Sequence, residues 1–450
     1  MKKTAVFLAA LFIVMLLAPT HAKAITFNPN FTVNSEAAVL VNLDKDVVVY
    51  EKNPTKKIYP ASLVKIMTAM IVLDHVDDLD NTTYEAPLVV FDELYGQGAS
   101  AVGFSRGEIT TATDLMYSML MYSACESAGI LAYNVGDESI PNFVDMMNAK
   151  AAELGCTGTH FTNPHGLFDE DQYTNARDMA IIAKYAVENY PKLVEIACTT
   201  EYTMKATNYQ AEGWATIYHT NKMLRVNSDF YYQYAHGLKT GTLDESGRNL
   251  ISTARKDGNN YLLVTMGAPM YNADGTTANG QYEDHKNIYE WAFENFSYEK
   301  ILSTSQEITE LPVKLGENSD HVLLVPSDDF YTIWLKTLDT SNLKKDIDTS
   351  AAVDGDGAVT APIEKGQKLG TYTLSLSGTT LCTVDLVAKD SVELSRIDYN
   401  ILRAKEFINS FWFKLAAGIA VGLIVLYSIL LAAAAKKRKR RKHVNGKRRF

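Results

Sequence analysis

Cysteine is scarce in this chain, with four among 450 residues: Cys125, Cys156, Cys198 and Cys382. They lie far apart, without a C-x-x-C pair or zinc-ligand spacing. That argues against a disulfide-stapled scaffold and a thiolate metal site, and the thiols are expected to be mostly free and buried. No histidine cluster supports another metal, and no cofactor is implied. Basic charge is scarce as well, once the two ends are set aside. The formal net charge is −10. Lys2, Lys3 and Lys23 stand in the first 24 residues, and ten more basic residues stand in the last fifteen. The remainder has 30 basic residues against 53 acidic ones, a net charge of −23, which excludes nucleic acid as a partner. Charge is absent altogether from Leu415 to Ala435, a run of 21 residues.

The two ends explain that distribution. "MKKTAVFLAALFIVMLLAPTHAKA" has a charged start, a short apolar run and an Ala-Lys-Ala end. It reads as a secretory signal peptide over residues 1–24, since the run is short for a membrane anchor. The uncharged run near the other end would rise about 31 Å as a helix, enough to cross a bilayer core. "KKRKRRKHVNGKRRF" comes after it. The excess of Lys and Arg places that tail in the cytoplasm and the body of the chain outside the membrane. A transmembrane helix is expected over 413–435 and a basic tail over 436–450, with Trp412 and Phe413 at the outer interface.

Between the ends the patterning changes once. "AAVLVNL" and "VVVYEKN" flank the turn "DKD" as strands. "SLVKIMTAMIVLD" is apolar all round and reads as a buried helix. Residues 112–134 and 140–154 read as further helices, and "TNARDMAIIAKYAVENY" as an amphipathic one capped by Thr174 or Asn175. "RNLISTAR" and "NYLLVTMG" form a second hairpin across "KDGNN", and "YEDHKNIYEWAFENF" is a helix. One sheet made from both ends of residues 25–300, with helices packed on it, is the economical fold. Beyond residue 300 the segments "EITELPVKL", "HVLLVP", "FYTIWLK" and "GTYTLSLSGTTLCTVDLVA" read as short strands of a small β domain over 306–390. A partly amphipathic stalk over 391–412 leads to the membrane.

Three short motifs carry chemistry. In Ser62-Leu63-Val64-Lys65 the serine and lysine share a helix face one turn apart. A lysine in that apolar setting loses solvation, favouring the neutral amine that can take a proton from Ser62. The second motif is Ser123-Ala124-Cys125 in "LMYSACESAG", where the cysteine has the look of the stronger nucleophile. The third is Lys239-Thr240-Gly241 in "HGLKTGTLDESG", a charge, a hydroxyl and a residue that permits close approach. Each is weak alone. Their order, Ser-x-x-Lys, Ser-x-(Asn-like), Lys-Thr-Gly, is the motif set of penicillin-binding proteins and serine β-lactamases.

"YPASLVKIMTAMIVLD", "FTNPHGLFDEDQYTNARDMAIIAKYA" and "HGLKTGTLDESGRNLISTA" resemble the low-molecular-mass penicillin-binding proteins of the serine-type D-alanyl-D-alanine carboxypeptidase family, those with a β domain and a membrane anchor. The resemblance covers about 35–390. It implies the α/β (α+β) penicillin-binding and β-lactamase-like transpeptidase fold, an antiparallel sheet flanked by helices, plus a small all-β domain that holds the catalytic domain away from the membrane. It implies removal of the terminal D-alanine from peptidoglycan pentapeptide stems and covalent inhibition by β-lactams. In this family's pattern Ser62 is the acylated nucleophile, Lys65 its general base and Ser123 a proton relay. Lys239 maintains the charge balance, Thr240 and Gly241 lie on the substrate side, and the backbone N–H groups of Ser62 and Thr242 form the oxyanion hole. Cys125 stands where the pattern usually has Asn, beside the substrate. A cysteine nucleophile would need a base, and His165 and His236 are candidates by type. It would leave the Ser-x-x-Lys element without a role. A β-lactamase is the rival enzyme, but no Glu-x-x-Leu-Asn element occurs. A non-catalytic wall-binding relative is the rival of another class.

Overall fold

The computed structural model of the chain describes residues 27–445. The signal-peptide reading of residues 1–24 and the last five residues of the basic tail lie outside the described residues. The chain forms two compact units. The first takes the chain up to Ile301 together with Tyr331–Lys344 and Ser375–Leu381. The second takes Leu302–Phe330, Lys345–Leu374 and the chain from Cys382 onward.

In the first unit five strands build one sheet: β1 (Ala37–Asn42), β2 (Val47–Lys52), β3 (Ala235–Leu243), β4 (Gly247–Lys256) and β5 (Asn259–Ala268), in the order β2-β1-β5-β4-β3. Each neighbouring pair is antiparallel. Segments from both ends of residues 25–300 thus meet in one sheet, as the patterning predicts. The turn from β4 to β5 has Asp257 and Gly258 both at positive φ, the conformation that lets a two-residue hairpin follow the strand twist.

The sheet separates two cores by strand alternation. Ala37, Val39 and Val41 of β1 and Leu262, Val264 and Met266 of β5 face one core. Ala38 and Leu40 with Tyr261 and Leu263 face the other. Both faces are covered, so β1 is buried along its whole length. Cutting a residue such as Leu40 back to Ala would cost about 2–5 kcal/mol. Four helices of the first core are α1 (Lys65–His75), α2 (Ala112–Tyr117), α3 (Cys125–Val135) and α4 (Ala176–Asn189). α1 is buried without interruption from Lys65 to Val72, which is why its sequence is apolar all round. α4 is capped by Asn175, whose side chain accepts from the Asp178 N–H. The second core is closed by α5 (Gly280–Asn295), which packs on β4 and β5 through Ile288, Tyr289 and Ala292.

Two segments depart from the sequence reading. Residues 112–134 do not form one helix. α2 ends at Tyr117, a widened turn covers Ser118–Tyr122, and Ser123 adopts a left-handed conformation with φ 72° before α3 starts at Cys125. The break is held by tertiary bonds: Ala124 N–H donates to Ser118 O at 3.1 Å and Cys125 N–H to Ser100 O at 2.7 Å. "FYTIWLK" is also not a strand of the β domain's sheet. Phe330–Leu335 pairs with Phe296–Leu302 in a separate ribbon. Its Ile333 belongs to the second core, so apolar burial selects the pairing.

The second unit contains β6 (Thr309–Lys314), β7 (His321–Pro326) and most of β8 (Lys368–Leu376) and β9 (Thr379–Ala388), strands of a six-stranded sheet. After it come α6 (Arg396–Asn409) and α7 (Phe411–Asn445). No residue of α6 is buried. The stretch Phe411–Arg438 of α7 is long and apolar enough to cross a membrane.

Candidate active site

The site forms where the start of α1, the break before α3 and strand β3 converge. Residues Ala61–Val64 make a 3-10 turn that runs directly into α1. Ser62 and Lys65 therefore project one turn apart. Ser62 is half-buried and Lys65 fully buried. Lys65 Nζ lies 2.9 Å from Ser62 Oγ and 3.5 Å from Cys125 Sγ, and it also donates to the His165 carbonyl. Burial pushes the Lys65 ammonium below the ordinary lysine value, with Cys125 and Glu126 acting in the opposite direction. An amine so placed is suited to receive the Ser62 proton.

Lys239 is the second fully buried lysine. Burial drives it well below the ordinary value, and repulsion from Lys65 adds to that. Its Nζ donates to Thr240 O at 3.1 Å. Gly241 carries the closest approach of β3 to the serine turn. A Cβ there would stand 3.1 Å from Pro60 O and 3.3 Å from Ser62 N. Thr242 is the next residue on the same edge strand and is exposed.

The Ser123 side chain is buried at the break, but its hydroxyl makes no hydrogen bond to Lys65 or Lys239. The thiol of Cys125 fills that contact of Lys65 instead. Neither histidine considered as a partner for Cys125 bonds to it. His165 accepts the Leu167 N–H at Nδ1, leaving Nε2 to donate to Glu93 at 3.1 Å. Burial also holds His165 below the ordinary histidine value. His236 is exposed on β3. All four cysteines are free, with Cys125 and Cys156 buried and Cys198 and Cys382 half-buried. Among the described residues no group of three His, Cys, Asp or Glu side chains is disposed to hold a metal.

Three contributors carry little or no signal in the sequence. The His165 carbonyl is the backbone acceptor of Lys65, and only the family-like segment "NPHGL" hints at it. Gly166 has φ 86°, and a Cβ there would fall 2.0 Å from Ala61 O, so only glycine lets this loop close on the serine turn. Thr220 Oγ1 lies 2.7 Å from Thr240 Oγ1, and the Thr220 N–H donates to Met121 O at 2.9 Å. Thr220 thus ties the broken helix to β3. No local pattern marks it.

Comparison with known proteins gives the family and the fold. A family model described as D-alanyl-D-alanine carboxypeptidase matches residues 22–270, and one described as penicillin-binding protein 5, C-terminal domain, matches 296–394. The chain is 27% identical over 369 residues to D-alanyl-D-alanine carboxypeptidase DacA of Haemophilus influenzae, covering 80% of this chain and 86% of the relative. It is 26% identical over 359 residues to D-alanyl-D-alanine carboxypeptidase DacF of Bacillus subtilis, with the same coverage of 80% and 86%. The crystal structure of penicillin-binding protein 5 from Haemophilus influenzae superposes with a TM-score of 0.57 at 25% identity, over 82% of this chain and 100% of that one.

Proposed function

The chain belongs to the D-alanyl-D-alanine carboxypeptidase family, and on that premise we propose that Ser62 is the nucleophile of its acyl transfer, with Lys65 as the base. One observation carries this assignment: a fully buried lysine, depressed by burial, with its amine 2.9 Å from a half-buried serine hydroxyl. Ser62 Oγ attacks the carbonyl between the two terminal D-alanines of a peptidoglycan stem, and Lys65 Nζ takes its proton. The backbone N–H groups of Ser62 and Thr242 receive the developing oxyanion, usually the largest electrostatic contribution in such a site. The terminal D-alanine leaves as an amine that takes the proton held by Lys65, relayed through Ser123 once its hydroxyl turns toward Lys65. Water then cleaves the acyl-enzyme. Lys239, Thr240 and Gly241, with Thr220 behind Thr240, receive the terminal carboxylate.

Cys125 stands beside the base as a weak donor and acceptor and is not the nucleophile. A β-lactam presents a carbonyl and a carboxylate disposed like those of the stem terminus, the carbonyl now in a strained ring, and acylates Ser62. α7 anchors the protein, with residues 25–300 as the catalytic domain and 306–390 as the β domain, both outside the cell, and the tail over 436–450 inside. Treating intact cells with a membrane-impermeant protease tests that topology: cleavage of the domains with survival of the tail is expected, and the reverse sinks it. The catalytic assignment is tested with a fluorescent penicillin and a defined pentapeptide, with and without an amine acceptor. Labelling and D-alanine release should both vanish in Ser62→Ala. Retained release in Ser62→Ala with loss in Cys125→Ala would overturn the assignment.

A further inference from the structure

The residue immediately before the proposed nucleophile is in an unfavourable conformation. Ala61 has φ 51°, in the left-handed region that L-residues avoid, and its side chain is fully buried. Such a conformation persists only where the surroundings over-determine it. Two contacts do so. One is the Gly166 backbone closing on the Ala61 carbonyl. The other is a side chain with no role in the acyl transfer itself, Asn249.

Asn249 is buried on β4, at a point where the pairing of β4 with β5 shifts register between Arg248 and Leu250. It pairs with Gly241 of β3. Its carboxamide is used completely. Oδ1 accepts the Gly267 N–H at 2.9 Å. Nδ2 donates to Tyr59 O at 3.1 Å, to Pro60 O at 3.2 Å and, more weakly, to Ser246 Oγ at 3.4 Å. Pro60 O also accepts the Leu63 N–H at 3.3 Å, the bond that opens the 3-10 turn. The amide therefore grips both carbonyls that precede Ala61. The missing side chain of Gly241 leaves the close approach of β3 to the same turn open. Rotating the chain at Ala61 would break these bonds and turn the Ser62 N–H away from the place where an oxyanion forms.

We propose that Asn249 is a positioning residue for acylation, holding the backbone before Ser62 so that its N–H is aimed before substrate arrives. The proposal rests on Ser62 being the nucleophile. It differs from a stabilising role in what it predicts. Losing a prearranged donor slows the step in which charge develops and leaves ground-state binding alone. Asn249→Ala should lower the acylation rate by a fluorescent penicillin and the kcat of D-alanine release by about tenfold to a hundredfold, with KM changed by less than about threefold. Asn249→Asp keeps the shape and the acceptor. Its carboxyl can donate to the carbonyls only when protonated, so its rate relative to the native protein should climb as pH falls.

The experiment measures both rates for the native full-length protein and the two variants across pH, per folded molecule counted by the thermal unfolding amplitude. A kcat loss at steady KM, with the climbing Asn249→Asp ratio, supports the proposal. Native rates per folded molecule, a KM rise at steady kcat, or a ratio independent of pH overturns it. Ser62→Ala is run beside them. If it still labels, the assignment of the nucleophile has failed; if it does not and the Asn249 variants acylate normally, only the role of Asn249 has failed.

Discussion

The two units differ in the basic groups they bury: the first seals several from water in addition to surface pairs such as Lys56–Glu36, and the second keeps its pairs at the surface. In the first, Lys65, Lys239, His165, His219 and His285 are all buried and all held below their ordinary values, burial being the leading cause each time. In the second, Lys314 with Asp354 and Asp356, Lys368 with Asp385, and Lys389 with Glu307 are exposed pairs. Its His321 is raised by Asp320, the reverse of the buried histidines. Exposed pairs are screened and contribute little. Desolvated ones cost stability and supply reactivity. Where a chain keeps amines and imidazoles out of water, chemistry is the reason to look for; where it pairs charges in water, solubility is a sufficient one.

Substitutions test this contrast, and the largest effects belong to the buried lysine. Lys65→Arg keeps a basic side chain but fixes it in the charged form, which cannot take a proton, so D-alanine release should fall at least about a thousandfold. In the native protein acylation should rise with pH through the depressed Lys65 value, because only the neutral amine accepts a proton. A rate that falls with pH across that range would contradict the role.

Acid stability separates the units next. His219 and His285 are pushed down to about 3, whereas the unfolded chain takes protons near 6.5. The folded state binds fewer protons in that window. Stability of the first unit is therefore complete above about pH 6.5 and lost as pH falls, by up to about 1.4 kcal/mol per pH unit for each group. Three of the four tryptophans, Trp214, Trp291 and Trp334, lie in the first unit, so the change in tryptophan fluorescence during urea unfolding at stepped pH, measured in a Trp412→Phe background, reads it. His321 carries the opposite sign: its contribution is present at low pH and is lost as pH rises through its raised value.

Smaller changes refine the picture. Thr220→Val removes the hydroxyl beside Thr240 and should lower kcat/KM for the pentapeptide by roughly tenfold, with less effect on a substrate lacking the terminal carboxylate. Cys125→Asn should keep turnover within about threefold or raise it, because an amide offers Lys65 a better acceptor than a thiol. Lys389→Ala in the second unit should leave D-alanine release and the unfolding midpoint unchanged within error.

The chemistry is legible in the sequence where it is local. Ser62 and Lys65 are one helical turn apart, so a four-residue motif already places one beside the other. The sheet is legible too, since "KDGNN" dictates its own hairpin and β1 shows its burial as an unbroken apolar run. Thr220 and Asn249 are not, because each acts through contacts with residues distant in sequence and has no periodic signature. The ribbon strand Phe330–Leu335 reads as part of the β domain because its alternation matches its neighbours; burial of Ile333 decides otherwise.

"LMYSACESAG" shows the same division. By composition it is a helix, and by reactivity its cysteine draws attention. The sequence determined the order of the three motifs and the family, because these depend on residue identity and on spacings within a turn or a strand. Tertiary structure alone decided that the helix breaks at Ser123, how completely Lys65 is sealed from water, and that Cys125 becomes its neighbour. Those depend on bonds from Ser100 and Ser118 and on the solvent excluded by a whole core, which no single segment can specify.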